Sequence, residues 1–423
     1  MKRDSGLGTR DSGLLDATLA HLRALVAFDT RNPPRAIGKD GMFDYVRGAL
    51  PGFAIALTDH GAGAISLLAV RGRPRLLFNV HLDTVPGSPH WSADPFGLHV
   101  GDGRATGLGA CDIKGAAAAL LAVANASTGD MALLFTTDEE GANPRCIRAF
   151  LDRAATRVPS PDSHQRRVAR SATRQVPLAP AGRGPRVRGD DLSRVPSPES
   201  RVPIFSAVIV AEPTRCEAVL AHRGIQSVRL RFRGRAGHAS GEQAPTDSAL
   251  HQAVRWGAAA LDYADAQAVQ EFGRLRGLRF NLGRIEGGIK ANVIAPEAEV
   301  RFGMRPLPSM DPDVLLERVR TLADPAPAAC EETFRGPSLP ADAANAQACE
   351  RDARALADEL GIGVGGPVDF WTEASLFSAA GHTAFVYGPG DIAQAHGADE
   401  WVALAQLENY AATVLRIVDG GRA

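Results

Sequence analysis

Five residues have side chains suited to metal chemistry and stand where apolar segments end or turn: His81, Asp112, Glu140, Glu212 and His396. His81 opens HLDTVPG, directly after the apolar run RLLFNV at 75–80. At a strand end, residues i and i+2 point the same way, so Asp83 can accept the second imidazole N–H of His81 and fix its tautomer. Asp112 sits in GLGACDIKG at 107–115, the turn before an alanine-rich segment. The glycines there lack the GxGxxG spacing, and a carboxylate in the turn would repel a pyrophosphate, which argues against dinucleotide binding. MALLFTT at 131–137 runs straight into Asp138, Glu139 and Glu140. Adjacent acids at the end of a buried strand are costly unless a cation sits among them. Such a pair can divide labour, one glutamate ligating metal and its neighbour acting as general base on water. AVIVAEPT at 207–214 puts Glu212 at the end of another apolar strand, and AHGADE at 395–400 offers His396 in a loop. Two imidazoles and three carboxylates suit a two-metal hydrolytic centre with one carboxylate bridging. An imidazole for each ion favours Zn or Co over Mg.

The elements that must position these residues follow from periodicity. Helices are expected over 14–25, 43–50, 114–126 and 147–155, and buried strands over 64–70, 75–80, 131–137 and 207–212. That alternation predicts an α/β fold with a mostly parallel sheet between helices, whose carboxyl edge is where open α/β sheets place ligands. The pattern then changes. Residues 216–240 read as two alternating strands, 246–262 as an amphipathic helix, and the stretch to 328 as strand, strand and helix. We expect a first catalytic part over 14–216, an inserted α+β domain over 217–328, and a second catalytic part over 329–423. Residues 154–203, rich in Arg, Pro and Ser, bury too little apolar surface to offset ordering entropy and are expected as a disordered insertion.

Composition narrows the classes. Among 423 residues, 47 Lys and Arg face 48 Asp and Glu, which gives no global reason for a nucleic-acid or membrane-surface partner. No run of 18 apolar residues suggests a membrane span, and the first residues lack a secretory signal pattern. The cysteines, 5 in all, contain no CxxC pair, which argues against a disulfide scaffold or zinc knuckle and predicts a cytoplasmic protein.

With these motifs in order, the sequence resembles the acetylornithine deacetylase / succinyl-diaminopimelate desuccinylase family of two-metal hydrolases. HLDTVPG, GLGACDIKG, TTDEEGA, AEPT, GRAGHAS, GGIKANVIAP and AHGADE carry the likeness from about Leu14 onward, outside 154–203. The resemblance implies that His81, Glu212 and a bridging Asp112 hold one ion, and Asp112, Glu140 and His396 the other. It implies Glu139 as general base, with Asp83 orienting His81. The inserted domain would be a lid through which two chains form a homodimer, its His238 reaching the partner's active site to stabilise the oxyanion. Asn292 and Arg305 would hydrogen-bond the substrate carboxylate, and Thr372 and Glu373 would wall its side chain. Leu108 departs from the family, where Arg often precedes GACD. DFWTEASLFSAAG and VYGPGDIAQAH resemble the branch that deacetylates acetylcitrulline in arginine biosynthesis, with acetylornithine the near alternative substrate. The expected partner is thus a small N-acetyl amino acid. An aminoacylase or dipeptidase of the same family is the second reading. A non-catalytic metal-binding relative is the third, and it would require a lost ligand or base.

Overall fold

Leu76–His81 (β3), Met131–Thr136 (β6) and Ala207–Val210 (β7) are buried at every position. Strands that present no polar face to solvent belong in the middle of a sheet covered on both sides. They do so in the computed structural model, which describes residues 8–34, 37–141, 144–155 and 205–420. The segment expected as an insertion lies outside the described residues from 156 to 203.

The central sheet has six strands. Ala54–Asp59 (β1) and Ile65–Arg71 (β2) form an antiparallel edge, β2 pairs antiparallel with β6, and β6, β3, β7 and Thr383–Val386 (β12) run parallel. In register, His81 lies beside Thr136 and Asn79 beside Val210. The chain extensions carrying Glu139, Glu140 and Glu212 therefore leave the sheet at the edge where His81 ends. Gly8–Val26 (α1), Lys114–Ala126 (α3) and Leu404–Val418 (α9) pack on one face. Alanine along α3 lets that helix lie close to its neighbours; its first eleven positions, Lys114 to Ala124, are buried. On the other face, Arg145–Ala155 (α4) and Ala374–Ala379 (α8) bury Ile147, Phe150, Leu376 and Phe377. Each such side chain contributes about 1.5–3 kcal/mol.

A second, four-stranded sheet is antiparallel throughout: Arg279–Gly287 (β9), Glu297–Arg305 (β10), Ile225–Arg233 (β8) and Ala329–Gly336 (β11), in that spatial order. Ala249–Ala266 (α5) and Pro312–Arg320 (α6) cover one face, around Trp256, Leu230, Phe232, Val300 and Phe302. Ser248 caps α5 by accepting the His251 N–H.

Two expectations change. Residues 216–240 form one strand, not two. A Cβ on Gly234 would lie 2.1 Å from the Asp247 carbonyl, so the chain leaves the sheet there. Residues 218–222 pair instead outside that sheet, through Val219 with Val386 of the central sheet and His222 with Leu339. The second sheet also takes in Ala329–Gly336, past the expected boundary at 328, because that strand completes the β8 ladder. A small third sheet joins His99–Gly101 (β4), Arg104–Thr106 (β5) and Trp401–Ala403 (β13). Among the described residues, no helix is long and apolar enough to cross a membrane.

Candidate metal centre

The strand ends and turns bring the five ligand candidates into two overlapping groups: His81, Asp112 and Glu212, and Asp112, Glu140 and His396. Within each, the ligand atoms lie within 4.8 Å of one another. Asp112 belongs to both. Its Oδ1 is 3.1 Å from His81 Nε2 and its Oδ2 is 3.0 Å from His396 Nε2. Glu212 Oε2 lies 3.8 Å from His81 Nε2, and Glu140 Oε1 lies 3.3 Å from His396 Nε2.

His81 Nδ1 faces Asp83, which leaves Nε2 as the inward nitrogen. The nearer acceptor is the Asp83 carbonyl at 3.0 Å, with the carboxylate at 3.5 Å. Spacing alone had pointed to the carboxylate. That carboxylate instead accepts from Asn32 Nδ2 at 2.9 Å and from the Glu140 N–H at 3.1 Å, tying a ligand-bearing loop to the end of β3. The Asp112 turn depends on Gly109, at φ 79°, where a Cβ would meet Thr84 Cγ2 at 2.7 Å. His396 itself adopts φ 61°, a left-handed conformation that costs a non-glycine residue about 1–3 kcal/mol.

Electrostatics explain why this cluster is expensive for the chain alone. Burial lifts the Glu212 carboxyl to about 7, against the pull of His81. Burial, reinforced by neighbouring Glu212, Glu140 and Asp112, pushes Glu139 well above the usual carboxylate range. Hydrogen bonds with Asp112 and Glu140 raise His396 to about 11. Glu212 Oε1 is buried with no hydrogen-bond partner. A set of imidazole nitrogens and carboxylate oxygens, with an orphaned buried oxygen among them, fits divalent cations.

The remaining expected residues are distributed differently. His238 is exposed on the loop after β8, its Nδ1 2.7 Å from Ser240 Oγ. Among the described residues, no hydrogen bond or ion pair joins it to the cluster in its own chain. Asn292 lies exposed beside it, its carbonyl accepting from the Ala239 N–H at 3.2 Å. Arg305 ends β10, half-buried. Thr372 and Glu373 lie at the start of α8. Both are buried: the Thr372 hydroxyl is 3.0 Å from His222 Nε2, and Glu373 Oε2 accepts from the Thr136 hydroxyl at 3.2 Å.

Sequence reasoning missed Asn32 and Glu400. Glu400 lay in view in AHGADE, yet nothing local in the sequence says that its carboxylate receives the backbone of the Asp112 turn. It also passed over Arg223, buried where the two sheets meet. Arg223 donates to Asp369 Oδ1 at 2.5 Å and to the carbonyls of Gly277 and Arg276, each at 2.6 Å.

Residues 77–420 match a family model described as peptidase family M20/M25/M40. The chain is 56% identical over 409 residues to the N-acetyl-L-citrulline deacetylase of Xanthomonas campestris pv. campestris, covering 96% of this chain and 99% of that one. It is 29% identical to an acetylornithine deacetylase of Myxococcus xanthus, over 97% of this chain and all (100%) of the relative. Among solved structures, an aminopeptidase from Bacillus cereus superposes with a TM-score of 0.64 at 17% identity, covering 96% of this chain and 98% of the other. An M20 family metallo-carboxypeptidase from Sulfolobus solfataricus gives 0.61 at 13%, over 95% and 98% of the two chains. At such identities the likeness speaks for the fold.

Proposed function

The chain belongs to the peptidase family M20/M25/M40, and on that premise we propose that it removes the acetyl group from N-acetyl-L-citrulline. N-acetyl-L-ornithine is the nearest alternative substrate. The reaction is hydrolysis of a linear amide: water and the N-acetyl amino acid become acetate and the free amino acid. The observation that carries a two-cation hydrolase is Asp112, which turns one oxygen to each of two imidazoles at 3.1 and 3.0 Å. Its relatives among the acetyl-amino-acid deacetylases support the substrate class.

In this reading His81, Glu212 and Asp112 hold one ion, and Asp112, Glu140 and His396 the other. Divalent cations held there, Zn or Co, would supply Lewis acidity toward water and an acyl oxygen. Glu139 accepts a proton from the attacking water and returns it to the departing amine nitrogen. Asp83, through its carbonyl and its grip on the Glu140 backbone, keeps His81 Nε2 aimed inward. Arg305 and Asn292 receive the substrate carboxylate, for which a guanidinium fork is suited. Thr372 and Glu373 back the side-chain pocket from beneath.

The second sheet with its helices acts as lid and homodimer contact. Val254, Leu261 and Ile285 are exposed apolar side chains there, and β9 is an open sheet edge, the kind of surface a second copy covers. His238, exposed and without a hydrogen bond or ion pair to its own cluster, is then available to the partner's site. A cytoplasmic role in arginine biosynthesis completes the reading. The test is acetate release by Zn- or Co-loaded protein from a panel of acylated amino acids. Turnover of acetylcitrulline above acetylornithine supports the assignment. Preference for dipeptides or longer acyl groups transfers it to the aminoacylase or dipeptidase reading.

A further inference from the structure

The loop that carries His396 carries a second acid with a different task. Glu400 is 2% exposed. Its Oε1 accepts the N–H groups of Cys111 at 2.9 Å and Asp112 at 2.8 Å, and its Oε2 accepts that of Gly109 at 2.9 Å. The Glu400 carbonyl accepts a fourth, from Gly107, at 3.0 Å. The turn before α3 has no side-chain cap of its own. Buried N–H groups left without acceptors are costly, so this distant carboxylate supplies what the turn lacks. Glu400 is itself held firmly. The preceding Asp399 accepts from the Ser92 N–H and hydroxyl, both at 2.9 Å, and Trp401–Ala403 pairs with Arg104–Thr106. One rigid segment thus reaches from His396 to the backbone of Asp112.

We infer that Glu400 is a positioning residue that locks the Asp112 turn to the His396 loop and so sets the separation of the two cation positions. The inference rests on reading Asp112 as the shared ligand. It adds that cation affinity depends on a side chain that touches no cation. Both oxygens accept, so a carboxylate is required. A glutamine offers one acceptor oxygen and turns its NH2 toward a backbone N–H. A carboxylate that merely completed the fold would leave cation affinity unchanged in any folded variant.

The experiment strips the full-length protein of metal and titrates it calorimetrically with Zn2+, wild type beside Glu400→Gln and Glu400→Asp. For folded Glu400→Gln the expected result is a loss of about tenfold or more in affinity for at least one of two cations, the usual effect of removing a partner behind a metal ligand. Its kcat should fall while KM stays within about twofold, the pattern of a misplaced reaction centre with substrate binding kept. Glu400→Asp retains both acceptors on a shorter stem and should recover part of the loss. Two cations bound by Glu400→Gln with wild-type affinities overturn the inference. If Glu400→Gln does not fold, wild-type affinities for two cations in a folded Glu400→Ser, which lacks the carboxylate, overturn it instead. A wild-type chain that takes up fewer than two cations overturns the shared-ligand reading itself, and the inference with it.

Discussion

Carboxylates in the two sheets live under opposite conditions. On the four-stranded sheet, Glu299 lies 3.2 Å from Arg231 and 2.8 Å from Arg301, and Glu331 faces Arg229. Those pairs are wet and balanced within the chain, and such exposed pairs contribute about 0–1 kcal/mol each. At the carboxyl edge of the central sheet, the ion-pair partners of Asp112, Glu140 and Glu212 among the described residues are imidazoles alone. Burial there penalises every charge, and the chain does not supply enough positive charge to answer it. Acids that are costly to keep and unbalanced from within point to balance from outside the chain.

The contrast breaks first at Glu139. Glu139→Gln should lower turnover by roughly 10²–10⁴-fold while metal content stays at the wild-type level, because the base ligates nothing. Near-normal turnover would place the base elsewhere. His238→Ala, on the loop after β8, should lower kcat by about 10²–10³-fold, the cost of losing one oxyanion donor. If that imidazole is donated to the partner, mixing inactive Glu139→Gln and His238→Ala homodimers restores up to about a quarter of wild-type activity, the statistical share. Verified subunit exchange without recovery would confine His238 to its own chain.

A smaller effect belongs to the junction between the regions. His222 is fully buried, its Nδ1 donating to the Arg223 carbonyl at 2.8 Å and its Nε2 facing the Thr372 hydroxyl. Burial lowers it to about 4, below its ordinary 6.5. The depressed value means that its contribution to stability is complete above pH 6.5 and is lost as pH falls toward 4, with about one proton taken up on unfolding. Melting temperature should fall across that window, and the fall should flatten in His222→Asn. An equally steep fall in the variant would assign the acid sensitivity to another group. The smallest effect is expected from Arg231→Ala, whose side chain is 54% exposed: within about 0.5 kcal/mol by denaturant melt. A loss above about 2 kcal/mol would show that these surface pairs are not the interchangeable set described.

Legibility in the sequence followed distance along the chain. His81, Asp112, Glu140, Glu212 and His396 stood out because each ends a recognisable strand or turn, and parallel strands deliver their ends to one edge. Asn32 and Glu400 did not, since their partners Asp83 and Asp112 are 51 and 288 positions away. The strand Ala329–Gly336 (ACEETFRG) escaped because an edge strand with a polar exposed face lacks an apolar run. Residues 234–240 read as strand from their alternation, but the close approach at Gly234 turns the chain away.

We propose that one carboxylate, Asp112, holds two cations between two imidazoles. Metal content of purified wild type, Asp112→Ala and His396→Ala, measured by plasma mass spectrometry after equal exposure to Zn2+, tests it directly. Two equivalents are expected in wild type, with loss of both in Asp112→Ala and of mainly one in His396→Ala. Two equivalents retained in folded Asp112→Ala would contradict it.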